Sequence, residues 1–268
     1  MQVVILCGGR GTRLGRESEI RPKPMVRIGE RPILWHIMKY YAAFDHRQFV
    51  LCLGYLGDVI KDYFLNYDVR QNDVTVELGR NSRRTIHSAH AEQDWSVTLA
   101  DTGLDAYTGA RLKAVERYIS SPTFMLTYGD GVSDIDLGRL VDFHLSHGKV
   151  GTISAVHPPA RFGELSFAEG RVRHFSEKPQ TSAGLINGGF FVFQREVFDY
   201  LSDDPKCSLE RDLLEKLTRA GELMAYEHEG FWQCMDTVRE LELLNELWSS
   251  GRAPWNRWAD RSEENESS

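Results

Sequence analysis

The chain has 268 residues, of which 41% are hydrophobic and 26% charged, and its formal net charge is −7. That balance is ordinary for a globular protein with a sizeable core, and the acidic excess argues against a general nucleic-acid binder, which carries a basic surplus. No apolar run approaches the roughly 18 residues of a membrane helix, and no charged-plus-apolar leader precedes Val3, so a cytoplasmic location is expected.

The apolar run 3–7 stops at two glycines, which suits a central parallel strand. Residues 8–32 are loop-rich, with Pro22, Pro24 and Pro32. Apolar spacing predicts a helix over 33–41, a strand over 48–53 and a helix over 57–67; this alternation is the mark of a doubly wound sheet. Strands are expected over 74–78, 96–101, 123–128 and 151–156, with helices over 110–120 and 137–147. The polar stretch 79–95 has no period and reads as a loop or an oligomer contact. From 162 onward a hairpin with Glu169-Gly170 near its turn is expected, then the strand "GGFFVFQ", helices over 196–200 and 209–220, and a last helix announced by the capping box Thr237–Glu240. The fold class is therefore α/β, a three-layer, mainly parallel sheet with a β-rich extension. Residues 1–258 read as a single domain in two parts, about 1–150 and about 151–258; the polar end 259–268 reads as a frayed tail. Cys7, Cys52, Cys207 and Cys234 form no CxxC pair and read as small buried hydrophobes rather than a zinc site.

Chemistry concentrates in "ILCGGRGTRL", residues 5–14. A P-loop would need Gly-Lys after the glycines, which is absent. A dinucleotide fingerprint would need a third glycine where Leu14 stands and a carboxylate closing the next strand, which ends in Leu53-Gly54. Two readings stay open: a plain tight turn, or a loop whose backbone N–H groups wrap a nucleotide while Arg13 grips phosphate. "RPKPM" presents Lys23 between two prolines that fix the backbone on either side, as a neutralising charge or as a solvated turn lysine. Asp130 lies just past a central strand between Gly129 and Gly131, where open α/β sheets bind ligands, and Asp236 precedes the last helix. Two such carboxylates together with substrate phosphates are the usual holders of Mg²⁺; the other reading of Asp236 is a helix-dipole carboxylate. "FSEKP" carries Glu177 and Lys178, and "INGGFFVF" carries Asn187 and Gly188; a lysine can pair with a monophosphate while Glu and Asn hydrogen-bond sugar hydroxyls.

Taken in order, "GGRGTRL", "KP" at Lys23, "GD" at Asp130 and "EKP" at Glu177 resemble the sugar-1-phosphate nucleotidyltransferases, and stretches such as "VTLADTG", "LTYGDGVSDID" and "GELMAYEHEGFWQCMDT" extend the resemblance to the branch that joins CTP to glucose 1-phosphate. The resemblance covers nearly the whole chain. It implies a Rossmann-like fold, Mg²⁺ on Asp130 and Asp236, and a homo-oligomer, trimeric or hexameric. It places Leu6, Cys7, Gly8, Gly9, Arg10, Gly11, Thr12 and Arg13 along the nucleotide, Lys23 on the α-phosphoryl group, and Thr102, Arg111, Tyr128 and Gly129 by the base. Glu177, Lys178, Asn187 and Gly188 would hold the sugar phosphate, so that about 1–150 would be the nucleotide-binding part and about 151–258 the sugar-phosphate-binding part. Other expectations open at this point are the same chemistry with another base or sugar (dTTP, for example), a non-catalytic sugar-nucleotide sensor, and a Rossmann oxidoreductase.

Overall fold

The computed structural model describes residues 1–11, 14–15, 20–78, 83–87, 90, 92–159, 164–168, 171–176 and 184–258. Thr12, Arg13, Glu177 and Lys178 lie outside the described residues, as does the tail 259–268.

Fifteen strands are described: β1 Gln2–Leu6, β2 Arg27–Ile28, β3 Arg31–Pro32, β4 Gln48–Leu53, β5 Val74–Glu77, β6 Arg83–Ile86, β7 Ser96–Asp101, β8 Thr123–Tyr128, β9 Gly131–Ser133, β10 Gly151–Val156, β11 Glu164–Ala168, β12 Arg171–Ser176, β13 Ile186–Gln194, β14 Leu223–His228 and β15 Trp232–Cys234. Seven build the central sheet in the order β14-β10-β13-β8-β1-β4-β7. β7, β4, β1 and β8 run parallel, β14 pairs parallel with β10, and only β13 is reversed, between β8 and β10.

Strand residues alternate between two cores, as period-2 side chains must when both faces are covered. Val3, Ile5, Phe49, Leu51 and Met125 join one cluster with Ile33, Leu34, Ile60, Leu137, Leu140 and Leu244 from four helices. Val4, Leu6, Val50, Phe124, Leu126 and Phe191 face the other, closed by Leu112, Leu209 and Leu217. The result is helix, sheet, helix in three layers.

Most expected elements are present; the differences have local causes. The helix expected over 57–67 breaks into Gly57–Leu65 and Tyr67–Gln71, because Asn66 leaves the helical region and its amide caps back onto Asp62. The helix expected over 110–120 is Thr108–Ala114 followed by a 3-10 turn, Glu116–Tyr118. The helix expected over 209–220 starts as a π-helix, Leu209–Leu214, before continuing as Glu215–Ala220. Within the periodless stretch 79–95, residues 83–86 are a strand: β6 pairs antiparallel with β5. All of β6 is exposed, and a ribbon with no buried face has no apolar alternation to read. The capping box on the last helix, Val238–Ser249, is present as expected. No helix among the described residues is long and apolar enough to cross a membrane.

Candidate active site

β1, β4 and β8 are parallel neighbours, so their carboxyl ends open on one edge of the sheet. There a cavity of about 680 Å³ is lined by Leu6, Cys7, Gly8, Gly9 and Gly11 on one side and by Tyr128, Gly129 and Asp130 on the other. Lys23, Pro24 and Arg111 form more of its wall. A groove of similar size, about 740 Å³, lies beside β7; both its acids are already committed, Glu92 to Lys39 and Tyr67 and Asp68 to His90, so the charges that could do chemistry gather at the first cavity.

The glycines are spaced by close approach. Gly11 has φ +60°, and a Cβ there would stand 2.9 Å from the Lys23 Cβ. A Cβ at Gly129 would stand 2.9 Å from the Leu6 carbonyl, across the β1–β8 pairing. The loop is therefore held tightly against the residue that supplies the cationic side chain.

Lys23, flanked by Pro22 and Pro24, opens the 3-10 turn Lys23–Met25 and is only 8% exposed. Its Nζ donates to Asp130 Oδ2 at 2.5 Å and to Asp236 Oδ1. Burial works against the ammonium, but Asp130 and then Asp236 outweigh it, and the Lys23 pKa lies above its ordinary value. Asp130 and Asp236 come from distant parts of the chain. The three-residue strand β9 pairs antiparallel with β15, Gly131 opposite Cys234, and one step further the Met235 amide donates to the Asp130 carbonyl at 2.8 Å. The Asp236 amide donates to Glu240 Oε2 at 2.6 Å, so the capping box of the last helix also sets the backbone at Asp236. Two carboxylates thus converge on one cation. Among the described residues no three His, Cys, Asp or Glu side chains form a cage; a pair of carboxylates, of which Asp130 lines the cavity, fits a hard cation that takes its other ligands from phosphate and water.

Arg111, 5% exposed, donates to the carbonyls of Leu53 (3.0 Å), Gly103 (2.7 Å), Gly8 (3.1 Å) and Leu104 (3.2 Å), and to Thr102 Oγ1 (2.9 Å). Thr102 in turn donates to the Leu53 carbonyl at 2.7 Å. These two expected base contacts tie the ends of β1, β4 and β7 together, Arg111 in the cavity wall and Thr102 behind it. Arg10 pairs with Asp105 at 3.0 Å on the surface. The Cys7 thiol, pushed well above its ordinary pKa chiefly by burial, and then by Cys52 and Asp130, stays protonated, so it offers the cavity no nucleophile.

Asn187 joins the far side of the site: its Nδ2 donates to the Tyr128 hydroxyl at 3.2 Å and its Oδ1 accepts from the Gly189 amide. Gly188 offers its carbonyl to Trp232 Nε1 at 2.6 Å. Sequence reasoning missed Glu210, which also lines the cavity and accepts from the hydroxyls of Tyr128 (2.7 Å), Thr108 (2.8 Å) and Ser208 (2.8 Å). Burial raises its pKa, but these donors outweigh that and lower it. It sits in the π-helix, a form often found at functional sites; no periodicity in the sequence marks it.

Against known proteins, the model of the nucleotidyl transferase family matches residues 2–249. The chain belongs to that family. It is 49% identical over 259 residues to a glucose-1-phosphate cytidylyltransferase of Salmonella typhimurium, covering 96% of this chain and all of that one. It is 30% identical to a mannose-1-phosphate guanylyltransferase catalytic subunit beta of Drosophila melanogaster, over 86% of this chain and 58% of that one. Among solved structures, HddC from Yersinia pseudotuberculosis superposes with a TM-score of 0.65 at 25% identity, covering 92% of this chain and 99% of that one. The nucleotidyltransferase fold expected from the sequence is therefore the fold of the chain, and both the identity and the coverage are higher for the cytidylyl than for the guanylyl enzyme.

Proposed function

We propose that this nucleotidyltransferase makes CDP-glucose and pyrophosphate from CTP and glucose 1-phosphate. The observation that carries the reading is the buried Lys23, which lines a cavity with Asp130 and the glycines Gly8, Gly9 and Gly11 and is paired to both Asp130 and Asp236; the 49% identity selects base and sugar. The sugar phosphate is an anion at neutral pH and attacks the α-phosphorus in line, so no general base and no covalent intermediate is needed. The task is to bring two polyanions together, which is a matter of positioning and charge. Backbone amides at Gly8, Gly9 and Gly11 cradle phosphate, and Lys23 supports the α-phosphoryl group. Arg111 fixes the cavity wall and adds a buried positive charge beside the loop. Asp130 and Asp236 would hold Mg²⁺, whose charge would offset that of the triphosphate and the incoming phosphate. On sequence grounds Arg13 stabilises the leaving pyrophosphate, Lys178 holds the sugar phosphate, and Glu177 and Asn187 meet sugar hydroxyls.

We read the chain as one domain working in the cytoplasm as a homo-oligomer. The exposed β5–β6 ribbon supports an assembly, since a two-stranded ribbon is marginal by itself in water; light scattering on the purified protein would read the copy number. The deciding assay is pyrophosphate release with Mg²⁺ and glucose 1-phosphate, with CTP, UTP, dTTP, ATP and GTP in parallel. Release with CTP alone is the expected result. Release with a different nucleotide discards the base assignment, and CTP binding without turnover points to another sugar phosphate or to a sensor.

A further inference from the structure

We propose that Lys23 is an exchangeable internal cation: in the ligand-free protein its ammonium occupies the place between Asp130 and Asp236 that a divalent ion takes over, and the exchange sends the ammonium toward the nucleotide's phosphates. The inference rests on the reading that these two carboxylates hold the metal.

Three observations carry it. First, one nitrogen lies within hydrogen-bond reach of both carboxylates, at 2.5 Å from Asp130, so there is no room beside it for an ion bound to the same two oxygens. Second, the charges decide the outcome. Two carboxylates and one ammonium sum to −1. Adding a divalent ion with Lys23 in place would crowd three positive charges on two negative ones in a largely buried cluster, with side-chain exposures of 10%, 32% and 23%. Removing the ammonium instead leaves the ion and its carboxylates neutral. Third, the displaced ammonium has one direction to go. Prolines on both sides and the contact with Gly11 fix its backbone, while Lys23 also lines the cavity beside Gly8 and Gly9. Without phosphate there, a displaced ammonium would be buried and unpaired, which is unfavourable. Metal binding is therefore weak until nucleotide arrives, and by linkage each favours the other.

The test uses the full chain and Mn²⁺ as the probe, with free Mn²⁺ read by its electron spin resonance signal and no nucleotide present. Lys23→Met and the more polar Lys23→Gln, each checked for folding by circular dichroism, are expected to bind Mn²⁺ about tenfold more tightly than the unaltered protein. Asp130→Asn should remove binding. A more negative site would also bind metal better without any exchange, so a second readout is needed. In ¹H–¹⁵N spectra of the unaltered protein, the ammonium resonance that is missing from Lys23→Met should disappear or shift when Mg²⁺ is added. Equal or weaker Mn²⁺ binding by the folded Lys23 variants overturns the exchange. So does tighter binding by the variants with an ammonium resonance that saturating Mg²⁺ leaves unmoved. No Mn²⁺ binding by any form, with or without CTP, overturns the two-carboxylate metal site itself; CTP-dependent pyrophosphate release would still stand as a separate result.

Discussion

The guanidinium of Arg111 spends its donors on neutral oxygens: four backbone carbonyls and the Thr102 hydroxyl. Burial pulls its pKa down from the ordinary value, and Asp101 and Asp105 oppose this only after the two cysteines Cys52 and Cys7. The positive charge is thus left to act on whatever anion the Gly8 loop holds. Removing it strands several buried acceptors at the ends of three strands, and each such acceptor costs on the order of 1–3 kcal/mol. Arg111→Met should therefore lower unfolding stability by roughly 3 kcal/mol in urea titration and raise the KM for nucleotide. Arg111→Lys should recover part of the stability, because one ammonium cannot reach all five oxygens. Unchanged stability in Arg111→Met would mean that water replaces the guanidinium at no cost.

At the scale of single elements, the last helix acts on the site through its cap. Thr237 accepts from the Glu240 amide, and Glu240 Oε2 accepts from the amides of both Thr237 and Asp236. Thr237→Ala should cost about 1 kcal/mol and also lower kcat, since the backbone that carries Asp236 loosens; a stability loss with full turnover would separate the cap from the site. This cap was legible in the sequence because its partners are three residues apart, and the strands were legible because a buried parallel strand is a short apolar run. The meeting of Asp130 and Asp236 was not, because it depends on two strands of three residues pairing across the chain, too short to show a pattern. Glu210 was hidden for a related reason: the π-helix turns its side chain to the cavity out of step with any α period.

A second element effect concerns pH. His144, on the helix Leu137–His147, places its ring between Thr152 Oγ1 at Nδ1 (2.8 Å) and Gln194 Nε2 at Nε2 (3.0 Å). Gln194 Oε1 accepts from Thr123, so its amide turns the NH₂ toward the ring, and His144 must keep Nε2 bare. Protonation would set two donors face to face. Burial first, and then the neighbouring His147, lower its pKa from 6.5 to about 4. The native state binds fewer protons than the unfolded chain in that interval, so stability is fully present above pH 6.5 and falls as pH drops toward 4. Buried His36 is lowered to about 4 in the same way. The urea midpoint should therefore decline through this window, and His144→Gln should flatten the decline; an unchanged slope would show that the ring binds its proton equally in the folded and unfolded chains.

Across the whole molecule, the side chains that end the described chain belong to the core rather than to the site. Trp255 is fully buried. It stacks on Phe231 at 5.7 Å and on Trp248 at 6.4 Å, and meets His36 edge-on. Trp248 also packs edge-on against His36 at 4.5 Å, and the loop before it depends on this ring, since a Cβ at Gly29 would stand 2.6 Å from Trp248. The aromatic cluster joins the helix Ile33–Ala43 to the last helix on one face of the sheet, while the cavity opens at the strand ends. Trp255→Ala should cost on the order of 3–5 kcal/mol, which for a chain of this size lowers Tm by roughly 10 °C. Because the cluster contributes no cavity wall, turnover per folded molecule at 25 °C should stay near that of the unaltered protein. A melting scan paired with a pyrophosphate assay separates the two: a drop in turnover without a drop in Tm would place this cluster in the catalytic machinery, and a drop in both at a temperature where the variant remains folded would mean that the packing of the last helix is transmitted through Thr237 to Asp236.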